Sequence, residues 1–173
     1  MQPAPSGAPK RLLQVRLAVA DDRLPLRRML ELYQHDLSDI WDQDLDVHGE
    51  YGYSLDRFWS NKDCHAYVAT VADRYAGFAL VDRAAKVGSD AHWMDQFFIV
   101  KKYRGAGVGR HLALRVLGSW PGPWEVGQMA ENHVAQAFWR SVVAGCTSGE
   151  FEERKLSTGG WQGVVQCFRI DPT

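Results

Sequence analysis

Cysteine is scarce in this 173-residue chain, and what there is forms no pattern. Cys64, Cys146 and Cys167 are odd in number and widely spaced, with no C-x-x-C pair. Neither a zinc motif nor a disulfide framework is encoded, and three reduced, partly buried thiols are expected. Net charge is nearly absent as well. Twenty Lys and Arg stand against 21 Asp and Glu, leaving −1, too little for an overall field that would draw nucleic acid or an anionic membrane. No apolar run approaches the length of a membrane span, the stretch of note being Phe97-Phe98-Ile99-Val100. The first ten residues, MQPAPSGAPK, lack the apolar centre of a secretory signal and are read as a flexible tail. These absences predict a cytoplasmic protein with no nucleic-acid, membrane or metal partner.

What is present is a globular composition, 46% apolar and 24% charged, in a length that suits one domain over residues 11–171. Leu12 to Leu17 alternates like a strand. Asp21 and Asp22 then offer an N-cap to a helix carrying Leu26, Met29, Leu30 and Tyr33 on one face. His35 to Gly52 reads as an acidic loop, followed by a short helix from Ser54. His65–Val71 and Tyr75–Val81 are β-rich runs with a hairpin at Asp73-Arg74, and Ala91–Val100 is a longer strand. A glycine cluster leads into a helix with Leu112, Val116 and Leu117. Trp124–Met129 reads as a strand, Asn132 as the cap of a further helix, and Phe151–Ser157 and Trp161–Ile170 as closing strands. The order β-α-α-β-β-β-α-β-α-β-β describes a single-domain α/β protein with a mixed sheet.

The segment richest in chemistry runs from Gln96 to Arg110, where a strand ends, glycines follow and a helix begins. Glycines let successive backbone N–H groups converge, and the helix N-terminus adds partial positive charge, which suits a phosphate or pyrophosphate. A P-loop is excluded because Arg110-His111 follows Gly109 where Lys and Ser or Thr are required. Gly105, Gly107 and Gly109 are spaced G-x-G-x-G and lie after several β-rich runs, so the dinucleotide fingerprint is missing too.

Arg104-Gly105-Ala106-Gly107-Val108-Gly109 does match the [QR]-x-x-G-x-[GA] signature of the GNAT superfamily of N-acetyltransferases. Asn132, Ala135 and Trp139 fall on the offsets of that family's N-x-x-A-x-x-x-Y stretch, and the element order is that of its mostly antiparallel fold. The chain therefore resembles a GNAT N-acetyltransferase over nearly its whole length. The resemblance implies acetyl-CoA as donor. It assigns Phe98, Ile99 and Val100 to backbone contacts with the pantetheine arm. Arg104, Gly105, Ala106, Gly107, Val108, Gly109 and Arg110 become the pyrophosphate cradle. Asn132 would bond the pantetheine arm, also as a helix cap, and Trp139 would lie beside the thiol end, with core packing an equal reading. In many relatives Tyr stands at position 139 as general acid. Indole cannot fill that role, which leaves it unassigned, with Tyr103 and Cys146 as weak substitutes.

Acetyl transfer to an amine needs a base, a polarised carbonyl and a stabilised thiolate. The resemblance places the polarising N–H near Ile99 and the base on the same strand. Asp95 is the only carboxylate between His92 and Val100, and alternation would set it on one face with Trp93, Phe97 and Ile99. Apolar neighbours there would raise its pKa. Its arm is short, so a water relay is expected. Glu125 and Glu131 are reserve bases, and simple pairing of Asp95 with a cation is the other reading.

Charge read locally is far from neutral. Residues 31–63 carry nine acids against Arg57 and Lys62, a balance of 2 − 9 = −7, whereas residues 100–120 carry five bases and no acid. The basic segment fits an anionic donor, and the acidic one fits a cationic amine, or is merely solvated. Tyr33, Asp36 and Tyr51, with His35 and Tyr53, are candidates for lining the acceptor site. No cysteine lies in the central strand or the glycine loop, which favours direct transfer in a ternary complex. Small-molecule and peptide amines stay open, as does a homodimer. A non-catalytic acyl-CoA-binding regulator on the same scaffold is the alternative, with Asp95 weighing against it.

Overall fold

A computed structural model of the chain describes residues 12–88, 90–158 and 160–172. The expected tail over residues 1–10 lies outside them. Seven strands form one sheet, β1 (Leu13–Leu17), β2 (His65–Val71), β3 (Arg74–Asp82), β4 (His92–Ile99), β5 (Gly122–Met129), β6 (Glu152–Leu156) and β7 (Gly163–Ile170). Their spatial order is β1-β2-β3-β4-β5-β7-β6, and every neighbouring pair is antiparallel except β4 and β5. Four helices, α1 (Arg23–Trp41), α2 (Arg57–Ser60), α3 (Val108–Gly118) and α4 (His133–Thr147), complete a mixed α/β domain of the expected element order.

The helices divide between the two faces of the sheet. Leu26, Met29 and Leu30 of α1 and Phe58 of α2 pack on Val68, Phe78, Leu80 and Phe98. Leu112 and Val116 of α3 and Trp139 and Val142 of α4 pack on Tyr67, Ala79, Val81 and Val126 opposite. Each fully buried Leu, Val or Phe contributes about 1.5–3 kcal/mol, so this two-layer burial is the main stabilising force. Both central strands β3 and β4 are covered on both sides, which holds the split described below between rigid walls.

Three local expectations need correction. The acidic loop is partly helix, since α1 runs through His35 to Trp41. The spacing Tyr33-Leu37-Ile40-Trp41 continues the apolar face, and interleaved acids obscured it. The β2–β3 turn lies one residue earlier, at Ala72 and Asp73, both with positive φ as a two-residue hairpin requires. Asp22 does not cap α1 in the expected way. Its carboxylate turns back to accept from Val19 N–H (2.7 Å), from Arg16 (2.5 and 2.9 Å) and from the Tyr75 hydroxyl (2.6 Å).

That buried carboxylate ties β1 and β3 to the start of α1, and the Arg16 bond first of all holds its pKa far below the usual range. A depressed pKa means stabilisation that is present above the unfolded-state value near 4 and is lost as pH falls below it. Asp22→Asn is expected to cost about 2 kcal/mol in denaturant melts at pH 7. Half-exposed Arg16 keeps the loss below that of a fully buried pair. The difference from wild type should shrink in acid.

Candidate active site

β4 and β5 pair only at His92–Trp124 and Trp93–Glu125. Past Trp93 they diverge and open a groove of about 820 Å³, walled by both strands, α1, the start of α4 and the β6–β7 loop. Val100 N–H donates to Ala76 O (2.9 Å), on the β3 side. Antiparallel alternation therefore commits the backbone of Phe98 and Gln96 to β3 and turns that of Phe97 and Ile99 to the split. Arg104 Nε takes the Ile99 carbonyl (2.7 Å), while the Phe97 and Ile99 N–H groups stay on the side of the split, where Phe97 lines the groove. Of the three residues expected to contact the donor, Ile99 alone presents a free N–H. Val100 O accepts from Tyr103 N, and Phe97 takes the place expected for Phe98.

The glycine cluster follows directly, after a 3₁₀ turn at Lys101–Tyr103. Gly107 caps α3 at φ 80°, a conformation that favours glycine. The helix ladder starts with His111 N–H on Gly107 O (3.0 Å). Among the described residues, the N–H groups of Gly105, Ala106, Gly107, Val108, Gly109 and Arg110 find no acceptor, so six donors and a helix N-terminus are available to one anion. Arg104 differs from expectation. Its N–H is bonded to Lys101 O, and its guanidinium binds Ile99 O and Asp36. It fastens the loop to β4 and α1, so the unbonded N–H groups of the loop are those of residues 105–110.

Asn132 caps α4, its Oδ1 accepting Ala135 N–H (3.1 Å), and its side chain also lines the groove. Trp139 is buried against Phe97 (ring centroids 4.9 Å apart) and Phe138, and it walls the groove as well, so packing and site exposure coincide. Gly127 on β5 is set by space. A Cβ there would come within 2.8 Å of the Trp161 ring, which lies over it against Trp93.

Asp95 sits in a bulge. Leu80 pairs with Gln96 and Val81 with Met94, so Asp95 is the extra residue on β4. The bulge breaks the expected alternation and aims Asp95 at Tyr53 and Arg57, away from the α4 side that Phe97 and Ile99 share. Tyr53 donates its hydroxyl to Asp95 Oδ2 and accepts from Arg57 (2.9 Å). Arg57 bridges Asp95 (2.7 Å) and buried Asp82 (2.6 Å). Two carboxylates thus share one guanidinium, and the cluster keeps a net negative charge. Burial raises the Asp95 pKa above the ordinary carboxylate range, with Tyr53 and Arg57 opposing. Burial and Asp95 together push Tyr53 up to about 12. The sequence had named Asp95 and Tyr53 separately. Arg57 and Asp82 carried no motif to flag them.

Other expected residues fall elsewhere. Tyr33 and Glu131 line the groove. Asp36 does not, because it pairs with Arg104 and with Lys101 (3.3 Å). Tyr51 bonds exposed His35 (3.3 Å) and is also off the groove. Glu125 is buried, with its carboxylate taken by the N–H groups of Lys86, Val87 and Gly88 at the β3–β4 loop. Tyr103 is buried in the α3–α4 core and Cys146 bonds Val143 O within α4, so neither reaches the groove. Among the described residues no helix is long and apolar enough to cross a membrane.

Comparison with known proteins agrees with this geometry. The sequence model described as "Acetyltransferase (GNAT) family" matches residues 26–143. No curated protein sequence gives a significant match. An acetyltransferase from Thermus thermophilus superposes with TM-score 0.67 at 14% identity, over 91% of this chain and 97% of that one. The PaiA N-acetyltransferase of Thermoplasma acidophilum, in complex with coenzyme A, gives 0.61 at 12%, over 91% and 99%. The ribosomal-protein-S18-alanine N-acetyltransferase of Escherichia coli gives 0.60 at 16%, over 94% and 96%.

Proposed function

Because the chain belongs to the GNAT acetyltransferase family, we propose that it moves an acetyl group from acetyl-CoA to a primary amine by direct attack in a ternary complex. One observation carries the reading. The N–H groups of Phe97 and Ile99, turned to the split, lead along the chain into the six unbonded N–H groups of residues 105–110, and Phe97 lines a groove that Asp95 and Tyr53 also line. The loop donors and the α3 terminus hold the donor's pyrophosphate, supported by the bases of residues 100–120. The strand N–H groups take the pantetheine arm as an added strand would, and the Ile99 N–H polarises the thioester carbonyl.

Tyr53 replaces the water expected to relay the amine proton. Its hydroxyl already donates to Asp95, so a proton accepted from the amine on oxygen passes its own proton to the carboxylate in one step. The surplus negative charge of the Asp82–Arg57–Asp95 cluster favours a cationic acceptor. Part of the acidic segment serves the fold instead, with Asp36 on Arg104 and Glu50 on Arg27. Asp39 in the last turn of α1, Asp42 at its C-cap and Asp44 just beyond make no ion pair among the described residues, and they supply the long-range attraction. Among the described residues no cysteine lines the groove, in keeping with direct transfer. The S18-alanine enzyme of the same fold acts on a protein amine, which keeps peptide acceptors beside small ones.

Thiol release from acetyl-CoA, measured against polyamines, aminoglycosides, free amino acids and peptides, tests the reading. Amine-dependent release is expected with at least one cationic class. Tight acetyl-CoA binding without release on any amine would instead make the chain a regulator.

A further inference from the structure

The side chains around Asp95 come from three segments of the chain and meet on one guanidinium. Tyr53 and Arg57 stand at i and i+4, before and within α2, Asp82 closes β3, and Asp95 fills the β4 bulge. Arg57 Nη1 donates to Asp82 Oδ2 (2.6 Å), and Nη2 reaches both Tyr53 Oη (2.9 Å) and Asp95 Oδ2 (2.7 Å). Asp82 is the fixed end. Its side chain is 3% exposed, and its other oxygen accepts Ala84 N–H (2.8 Å). Arg57 Cζ lies 4.7 Å from the ring centroid of Phe58, a core residue of α2.

A phenol oxygen carries one hydrogen and two lone pairs. On Tyr53 the hydrogen goes to Asp95 and Arg57 takes one lone pair, which leaves a single lone pair for an incoming amine. We propose that Arg57, anchored by Asp82, is the positioning residue of the acceptor wall: it fixes the direction from which Tyr53 takes the amine proton and holds Asp95 in the charged form that receives it. This rests on the acetyl-transfer reading above. Burial works against the Arg57 charge, but Asp95 and Tyr53 outweigh it and keep its pKa above the ordinary arginine range, so Arg57 itself gives up no proton. Burial is also what raises the Asp95 pKa. Tyr53 and Arg57 work against that rise, and Asp82 adds to it. Tyr33 and Cys64 are the other titratable groups that feel the cluster, and burial raises both, so they stay neutral where Asp95 titrates. Lys86 and Glu131 also line the groove, and among the described residues neither forms an ion pair with the cluster.

Two variants should move the Asp95 titration in opposite directions. Arg57→Gln removes the positive neighbour of Asp95. Asp82→Asn removes the negative one and leaves the guanidinium to Asp95 alone. The titration is followed by carbon NMR of labelled aspartate, with Asp95→Asn identifying the signal, and kcat is measured in parallel. The midpoint is expected to rise by about one pH unit in Arg57→Gln and to fall in Asp82→Asn. Arg57→Gln should also lower kcat at pH 7 about 10²-fold, with KM for acetyl-CoA within about twofold. Arg57→Lys, a point charge that cannot fork between two carboxylates, should recover only part of that loss. If Arg57→Gln fails to fold because buried Asp82 loses its cation, the same upward shift is read between Asp82→Asn and the double variant, which leaves no carboxylate there unpaired. A midpoint unmoved by loss of Arg57, or moved the same way by both variants, overturns the proposal, as does an unchanged kcat. Opposite shifts in a protein that releases no thiol with any amine overturn the acetyl-transfer reading instead, and leave Arg57 as the residue that sets the charge of Asp95.

Discussion

Asp95→Asn is expected to lower kcat by about 10²- to 10³-fold while leaving the KM for acetyl-CoA within about twofold. The amide keeps the shape of the carboxylate and an oxygen for the Tyr53 hydroxyl, so the wall of the groove survives. What disappears is the capacity to hold the amine proton. Arg57 retains Asp82 as its partner, so no cation is left unpaired by the change. Wild-type kcat should rise with pH as Asp95 ionises, through an inflection above the ordinary carboxylate range because burial disfavours its charge. The variant should lack that inflection. Stability should move the other way. A carboxyl whose folded pKa is raised destabilises the fold above its unfolded value near 4, so D95N should melt no lower than wild type at pH 7. Loss of activity without loss of stability separates a base from a structural acid, and an unaltered pH profile would remove Asp95 from the reaction.

Gly107→Asp should weaken acetyl-CoA binding by about 10²-fold, from a carboxylate set among the loop N–H groups proposed to hold the pyrophosphate. A Cβ at Gly107 meets nothing within 4 Å, so the side chain has room. The positive φ costs an L-residue about 1–2 kcal/mol, least for Asp and Asn. Gly107→Asn carries the same backbone cost without the charge and serves as the control. Calorimetric titration should therefore show a large loss for Asp and a much smaller one for Asn. Equal losses would mean that the loop's conformation, and not its charge, governs binding.

The conformation of the glycine loop was legible in the sequence because its determinants are local. Gly105, Gly107 and the start of α3 follow one another in the chain, and the backbone N–H groups need no distant partner. Arg104 was grouped with its sequence neighbours as a backbone donor, whereas its N–H bonds Lys101 O and its side chain bonds Asp36 and Ile99 across the fold. The groove wall around Asp95 was only half legible. Asp95 stood out as a lone carboxylate in an apolar strand, but a bulge placed by pairing with β3 decides which way it faces. Nothing local encodes that register shift, nor the meeting of Arg57, Asp82 and Asp95 from three elements. Glu125 illustrates the converse: a carboxylate of promising position is taken by three N–H groups of a loop about 40 residues earlier. The acidic stretch concealed a helix for a simpler reason, since Asp and Ser suit turns as readily as exposed helix faces.

Acetyl-CoA binding followed by amide hydrogen exchange tests the central claim most directly, because the free N–H groups of the split strand and the glycine loop are its physical content. Added acetyl-CoA should slow exchange at Phe97, Ile99 and Gly105 to Arg110, with little change at Phe98 and Val100, whose N–H groups already serve β3. Protection confined to other segments, or none at saturating acetyl-CoA, would contradict the account.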